Sequence, residues 1–294
     1  MWRFLQISDL HFGDVAHPYA INYSMHRQIP EIMQCLRQDT RKSEADLLIA
    51  TGDFTSHGGC DAVFAARDLL DFLDLPYYPV GGDADFQEEE SRTWFIEAYR
   101  GHLPLADTVY SFTHKNLHFC VLDPWRLWPD GSLAPTRTGE ESGEAIWAIP
   151  PHQLRWLEDD LRSHQNLPTV VLLHYPVLPI PGRFNQYDDG NSRGRIVKEH
   201  LLLELLANHE QVQLLLTGHT HYHCIRSYRG LTEISTAAMV EYPIEYRDFH
   251  VYDDRIEVYT QGLTNEGFAQ RSLIQGGEWT RGTTHDREHV IALE

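Results

Sequence analysis

The chain predicts an α/β protein built in layers, and three observations point there. Apolar runs of strand length alternate with amphipathic helical stretches over the first hundred residues. Five apolar runs along the chain break directly into Asp or His, at Leu5 to His11, Ile49 to Asp53, Val80 to Asp83, Val171 to His174 and Leu216 to His221. Beyond residue 222 the texture changes to short strand-like runs with few helical signals.

Residues 2–8 read as the first strand. Ile21, Met25, Ile29, Met33 and Leu36 follow at helical spacing, and Pro30 marks a point where that helix would bend. Residues 46–51 form a compact apolar strand, after which a Gly58-Gly59 turn leads into a helix carrying Ala62, Ala66, Leu69, Leu70 and Leu73. A third strand over 76–80 precedes a helix marked by Trp94, Phe95, Ala98 and Tyr99. Residues 109–122 read as two strands meeting at His114-Lys115-Asn116. The stretch 123–150, with Trp125, Trp128 and Trp147 among polar residues and prolines, predicts a long irregular loop whose tryptophans pack on the domain or line a pocket. Pro150-Pro151 opens a helix with Leu154, Leu157 and Leu161 on one face. A strand over 169–173, a loop over 179–194, a Leu-rich helix over 196–207 and a strand over 211–216 follow. Short strands at 223–228, 231–236, 247–253 and 255–260 suggest a second sheet. Residues 1–261 read as one domain, and 262–294 as a tail, a lid or a homodimer contact.

The 294 residues include 43 acidic and 24 basic side chains, a net charge of −19, which disfavours a nucleic-acid polymer or an anionic membrane as partner. Four scattered cysteines without CxxC spacing give little support to a disulfide framework or a thiolate zinc site, so a reducing cytoplasm is the expected location. No signal peptide is visible at the start, and no run reaches the roughly 18 apolar residues that a membrane span requires, so a soluble protein is expected.

Ligands of open α/β sheets gather outside the carboxyl ends of the strands, where the turns converge. Asp9, His11, Asp53, Asp83, His174, His219 and His221 all follow predicted strands. Carboxylate oxygen mixed with imidazole nitrogen suits Mn, Fe or Zn rather than Ca²⁺ or a thiolate site. Seven ligands exceed what one transition metal takes, whereas two ions sharing one carboxylate would use them all.

Read in order, Asp9-Leu10-His11, Gly52-Asp53, His174 and Gly218-His219-Thr220-His221 resemble the calcineurin-like metallophosphoesterases, whose pattern is DxH, GD, GNH[D/E], H and GHxH. Gln153-Leu154-Arg155-Trp156-Leu157, Glu241-Tyr242-Pro243 and Arg247 are most similar to the bacterial cyclic-nucleotide phosphodiesterase branch. The resemblance implies a four-layer α/β/β/α sandwich of two mixed sheets flanked by helices, and a phosphodiesterase or phosphatase that holds two divalent metal ions. It assigns Asp9, His11 and His221 to one ion, Asp83, His174 and His219 to the other, and Asp53 to the bridge. It further implies in-line attack on phosphorus by a hydroxide held between the ions, on a small phosphorylated substrate such as a nucleotide.

One motif departs from the family pattern. Where the family has Gly-Asn-His-Asp, this chain has Gly82-Asp83-Ala84-Asp85. The amide ligand becomes a carboxylate, and the histidine that protonates the leaving alkoxide becomes Ala84; a general acid typically contributes about 10² to 10⁴ in rate. A shifted register would put Gly82 at the ligand position and Asp83 at the acid position. His57 is the candidate replacement donor, set against a solvated loop histidine. Asp85, which would otherwise orient the missing histidine, is left to cap a turn. Two functions follow, a hydrolase lacking its usual proton donor and a metal-binding pseudoenzyme that recognises a phosphorylated ligand or partner. Arg183, Arg193 and Arg195 are candidates for substrate phosphate or plain surface residues. Tyr175 either reaches substrate or packs, and His285 and His289 read as surface residues.

Overall fold

The computed structural model describes residues 1–16, 18–134, 146–181, 184 and 196–293. Strand β1 (Trp2–Ile7) is followed by α1 (Ile29–Ser43), β2 (Leu47–Ala50), α2 (Cys60–Asp71), β3 (Tyr77–Pro79) and α3 (Ser91–Ala98). A hairpin of β4 (Tyr110–His114) and β5 (Leu117–Val121) comes next, then β6 (Trp125–Leu127), β7 (Ile146–Ala148), α4 (Pro151–Ser163), β8 (Thr169–Leu172), α5 (Glu199–Ala207) and β9 (Val212–Thr217). The chain closes with β10 (Cys224–Tyr228), β11 (Leu231–Ser235), β12 (Glu245–Val251), β13 (Arg255–Gly262), α6 (Gly267–Ser272) and β14 (Glu288–Ala292).

All of these strands but β6 and β7 form two mixed six-stranded sheets, ordered β14-β13-β12-β1-β2-β3 and β10-β11-β9-β8-β5-β4. Helices flank them, so the fold is the α/β sandwich of two sheets that the resemblance implies. Alternation along the strands separates the layers. Phe119, Val170, Leu172, Leu214 and Leu216 point into the core shared with the first sheet, where Phe4 stacks on Phe249 at 4.3 Å and meets the edge of Phe119 at 5.7 Å. Their neighbours Cys120, Val171, Leu173 and Leu215 point outward and pack under Leu157 and Leu161 of α4 and Leu202 and Leu206 of α5. Ile29, Ile32, Met33 and Leu36 of α1 and Val63, Ala66 and Leu70 of α2 cover the first sheet with the same helical periodicity.

Four expectations are corrected or refined here. Pro30 sits in the first turn of α1, where its missing N–H leaves no bond unmade, so the helix starts there instead of bending. The terminal strands do not make a sheet of their own. Strands β10 and β11 extend the second sheet, while β12 pairs antiparallel with β1, aligning Phe4 with Phe249, and so returns to the first. The stretch after residue 123 contains an antiparallel ribbon of β6 and β7. The segment from 262 onward carries β14, which pairs with β13 at the sheet edge. Asn22 ties the same segment down through bonds to Gly277 O at 3.3 Å, Thr280 Oγ1 at 3.2 Å and Ile274 N at 3.1 Å. Only Ile291 of β14 is buried, and an edge strand with one buried side chain has no alternation to read.

Arg183, Arg193 and Arg195 lie outside the described residues. Among the described residues no helix is long and apolar enough to cross a membrane.

Candidate metal centre

Strands β1, β2 and β3 run parallel in one sheet and β8 and β9 in the other, so their carboxyl ends meet along one rim of the sandwich. Backbone bonds knit the turns: Asp9 N–H donates to Gly52 O at 3.0 Å, His11 N–H to Asp53 O at 2.9 Å and Gly218 N–H to His174 O at 2.9 Å. Each turn is sharp. Asp9, His11, Asp53, His219 and His221 all hold left-handed φ angles between 42° and 67°. Such backbone costs about 1 to 3 kcal/mol per residue and is characteristic of sites that the surrounding structure over-determines. Two glycines allow the close approach. A Cβ at Gly82 would lie 2.2 Å from Asp53 Oδ1, and one at Gly218 would lie 1.8 Å from Ser8 Oγ.

The seven sequence-derived candidates come together in two adjoining groups. Asp9, His11 and His221 form one, and Asp53, Asp83, His174 and His219 the other. In the first, His11 Nε2 is 3.0 Å from His221 Nε2, and Asp9 Oδ1 is 3.7 and 3.4 Å from those two nitrogens. In the second, His174 Nε2 is 3.1 Å from His219 Nδ1, with Asp83 Oδ1 at 3.4 and 3.0 Å from them. Asp53 joins the groups through one atom. Its Oδ2 is 3.5 Å from His11 Nε2 and 3.3 Å from His174 Nε2, while its Oδ1 accepts the Ala84 N–H at 2.8 Å.

The outward-facing atoms fix what the inward ones can do. His174 Nδ1 is 2.7 Å from the Thr51 carbonyl oxygen, which only accepts, so Nδ1 carries a proton and Nε2 is the nitrogen that faces the centre. Glu241 does the same for His221, with Oε1 2.5 Å from Nδ1. Asp9 Oδ1 and Asp83 Oδ1 are buried with no hydrogen-bond donor in bonding geometry among the described residues. Imidazole nitrogens and carboxylate oxygens that converge this closely fit divalent cations once a cation displaces the ring protons, and backbone or carboxylate groups behind such nitrogens are what orient metal-bound histidines.

The charges agree. Burial alone would depress His221, but the hydrogen bonds its ring donates to Asp9 and Glu241, and their charges, outweigh it and lift the imidazole to about 10. Burial likewise works against His174, and the charge and hydrogen bond of Asp53 reverse the effect, raising it well above the ordinary histidine range. Burial would raise Asp9, yet the imidazoles of His11 and His221 beside it hold it well below the usual carboxylate value. The carboxylates of the two groups therefore favour positive charge between them.

Ala84 is fully buried. Asp85 closes its own turn, accepting from Gly82 N at 3.1 Å and from Thr55 N at 2.9 Å, so it pins the β2 turn to the β3 turn. Burial, then the charge of Asp53, pushes its carboxyl up to about 7. His57 is exposed and belongs to neither group. Tyr175 is buried, its ring 4.4 Å from His219 and 5.3 Å from Trp147. The β5 end also carries an acid, Asp123, but both its carboxylate oxygens are taken by Arg92 at 2.8 and 3.0 Å, and Thr108 adds a bond at 2.7 Å. Trp125 stacks on that Arg92 at 4.0 Å. Glu241 is the functional candidate that pattern reading passed over as a ligand orienter, because it stands within the loop between β11 and β12 and not directly at a strand end.

A sandwich whose strand ends converge on two carboxylate–imidazole groups defines a metal-dependent hydrolase by class. The sequence profile described as calcineurin-like phosphoesterase matches residues 3–223, and the chain belongs to that family. It is 24% identical over 254 residues to the glycerophosphodiester phosphodiesterase GpdQ of Enterobacter lignolyticus, covering 84% of this chain and 81% of that one. It is 22% identical over 237 residues to the 3′,5′-cyclic adenosine monophosphate phosphodiesterase CpdA of Haemophilus influenzae, covering 80% and 76%. Among solved structures, a dimetal phosphatase from Danio rerio shares the fold with a TM-score of 0.72 at 17% identity, covering 100% and 99% of the two chains.

Proposed function

We propose that the chain is a dinuclear metal-dependent phosphodiesterase for small phosphodiesters, with cyclic nucleotides or glycerophosphodiesters as the substrate class. Asp9, His11 and His221 would hold one ion and Asp83, His174 and His219 the other. The observation that carries this reading is the single Asp53 oxygen within 3.5 Å of a histidine in each group. The oxygen and nitrogen donor set favours Mn, Fe or Zn. When bound, the ions would supply Lewis-acid activation of the phosphoryl group and of the attacking water.

The chain's own residues then shape the reaction. Glu241 and the Thr51 carbonyl keep Nε2 of His221 and of His174 aimed inward. Asp83 places a third carboxylate beside Asp9 and Asp53, where an amide would carry no charge. The buried Ala84 offers no side-chain proton to a leaving alkoxide, and the exposed His57 is not in either group. The enzyme should therefore favour leaving groups that depart without a proton. Ala84 is also the observation behind the second reading, a metal-binding pseudoenzyme that recognises a phosphorylated ligand.

Assays of the Mn²⁺-loaded protein on bis-p-nitrophenyl phosphate, p-nitrophenyl phosphate and 3′,5′-cyclic AMP separate the two. Turnover of the nitrophenyl diester well above that of the cyclic alkyl ester is expected. Two bound metals with no turnover on any of the three would favour the pseudoenzyme.

A further inference from the structure

Away from the strand ends, the face between the second sheet and α4 contains a patch with the wrong chemistry for a packing layer. His118 and Cys120 alternate along β5 and so share its outward face. Where β8 and β9 present Val171 and Leu215 to the helices, β5 presents an imidazole and a thiol. Asp160 and His164 lie one helical turn apart on the facing side of α4. Beside them on β4 stand Ser111 and Thr113, paired in register with Cys120 and His118.

The inner atoms converge. His118 Nε2 is 2.7 Å and Cys120 Sγ 3.2 Å from the same Asp160 oxygen, Oδ2, and all three ligand atoms lie within 4.8 Å of one another. His164 Nδ1 is 3.6 Å from that oxygen, and its ring stacks on His118 at 3.8 Å. The outer atoms are occupied by neighbours. Thr113 Oγ1 is 2.9 Å from His118 Nδ1, and Ser111 donates to Asp160 Oδ1 at 2.9 Å. This is the division of labour seen at the main centre, where Thr51 and Glu241 hold the outer atoms of His174 and His221. His118 and Cys120 are buried, and the one-third-exposed His164 leaves a path to solvent.

We propose that His118, Cys120 and Asp160, with His164 at the rim, form a third cation site for an ion of borderline softness such as Zn²⁺ or Co²⁺. A nitrogen, sulfur and oxygen set suits such an ion and suits Mn²⁺ or Mg²⁺ poorly. Binding releases the Cys120 thiol proton to solvent and moves the His118 ring proton from Nε2 to Nδ1, where Thr113 Oγ1 at 2.9 Å can accept it, so that sulfur and Nε2 each turn a lone pair to the metal and Asp160 is freed from the hydrogen bonds it now accepts from both. His164 Nδ1 is 2.9 Å from the Asp160 backbone carbonyl oxygen, to which it donates, so the ligands are the three side chains of β5 and α4, and an ion held by them would join that helix to that strand.

Cobalt distinguishes this site from the main centre, because neither group there contains a cysteine. The whole chain is stripped with chelator and titrated with Co²⁺, while near-ultraviolet absorption is read for the thiolate-to-cobalt charge-transfer band and bound cobalt is counted. The band is expected, with a third ion per chain. Cys120→Ser should abolish the band and the third ion while leaving phosphodiester turnover intact. His118→Gln, which keeps the thiol, should weaken the third ion at least about tenfold. Absence of the band at saturating Co²⁺, or a band unchanged in either variant, would overturn the site and leave a hydrogen-bonded polar cluster.

Discussion

Glu241 stands directly behind His221, its Oε1 2.5 Å from the imidazole Nδ1, and the pair is completely sequestered from solvent on the glutamate side. The other Glu241 oxygen accepts the Asn22 backbone N–H, so the carboxylate cannot swing away without breaking a second bond. Glu241→Ala should therefore lower affinity for one metal ion by about 10- to 100-fold, the usual effect of removing the group that orients a histidine ligand. Competition with a chelator of known affinity reads this directly. An unchanged affinity would mean that His221 is oriented by its other contacts.

A pH dependence of metal loading follows from the charges. In the metal-free protein His221 titrates at about 10, above the ordinary 6.5. Its contribution to metal-free stability is complete below pH 6.5 and is lost as pH rises toward 10. A cation must displace the same proton, so affinity increases over that interval, by up to about tenfold per pH unit for each proton released. Thermal shifts on adding Mn²⁺ should thus be larger at pH 9 than at pH 6. A shift that shrinks with rising pH would contradict this account.

The convergence of the seven candidate side chains was legible because strand ends in open α/β sheets are the positions where local sequence and tertiary location coincide. A run such as Leu216-Thr217-Gly218-His219 announces both the strand and the turn. Sheet membership was less legible. Strand β12 alternates no differently from β11, yet it pairs with β1, 245 residues away for the Arg3 and Asp248 pair, through a stack of Phe4 on Phe249 that no local pattern encodes. Asp123 shows the opposite failure mode. It follows an apolar strand like the ligands do, but Arg92 from α3 claims it. Glu241 was hidden because second contacts to a ligand need only proximity in space.

His223, two residues past His221, gives a separate acid response. Burial, with the charge of Arg247, pushes it down to about 3, and its Nδ1 accepts the Ala237 N–H at 3.2 Å, so it folds as the neutral ring. The unfolded chain binds a proton there below pH 6.5 and the folded chain does not until about 3. Stability from this group is complete above 6.5 and falls by about 1.4 kcal/mol per pH unit between those limits. His223→Asn, whose amide oxygen can accept the same N–H, should flatten the acid limb of a stability–pH curve by about one proton. Equal slopes for the two proteins would place the proton elsewhere.

Ala84→His tests the departure from the family pattern from both sides at once. The Ala84 side chain is fully buried and its N–H is committed to Asp53 Oδ1, so an imidazole must displace neighbours. Overpacking of that kind typically costs about 1 to 3 kcal/mol, and a lower melting temperature is expected. If the missing proton donor limits the reaction, the variant should nonetheless hydrolyse alkyl diesters faster by about 10² to 10⁴, while nitrophenyl diesters, whose leaving group departs as a stable anion, gain little. Equal gains on both substrate types would show that the new side chain acts on something other than the leaving group. A gain confined to the alkyl ester would mean that Asp53, Asp83 and the paired histidines were already arranged for hydrolysis, and that the buried alanine sets which esters the enzyme can use.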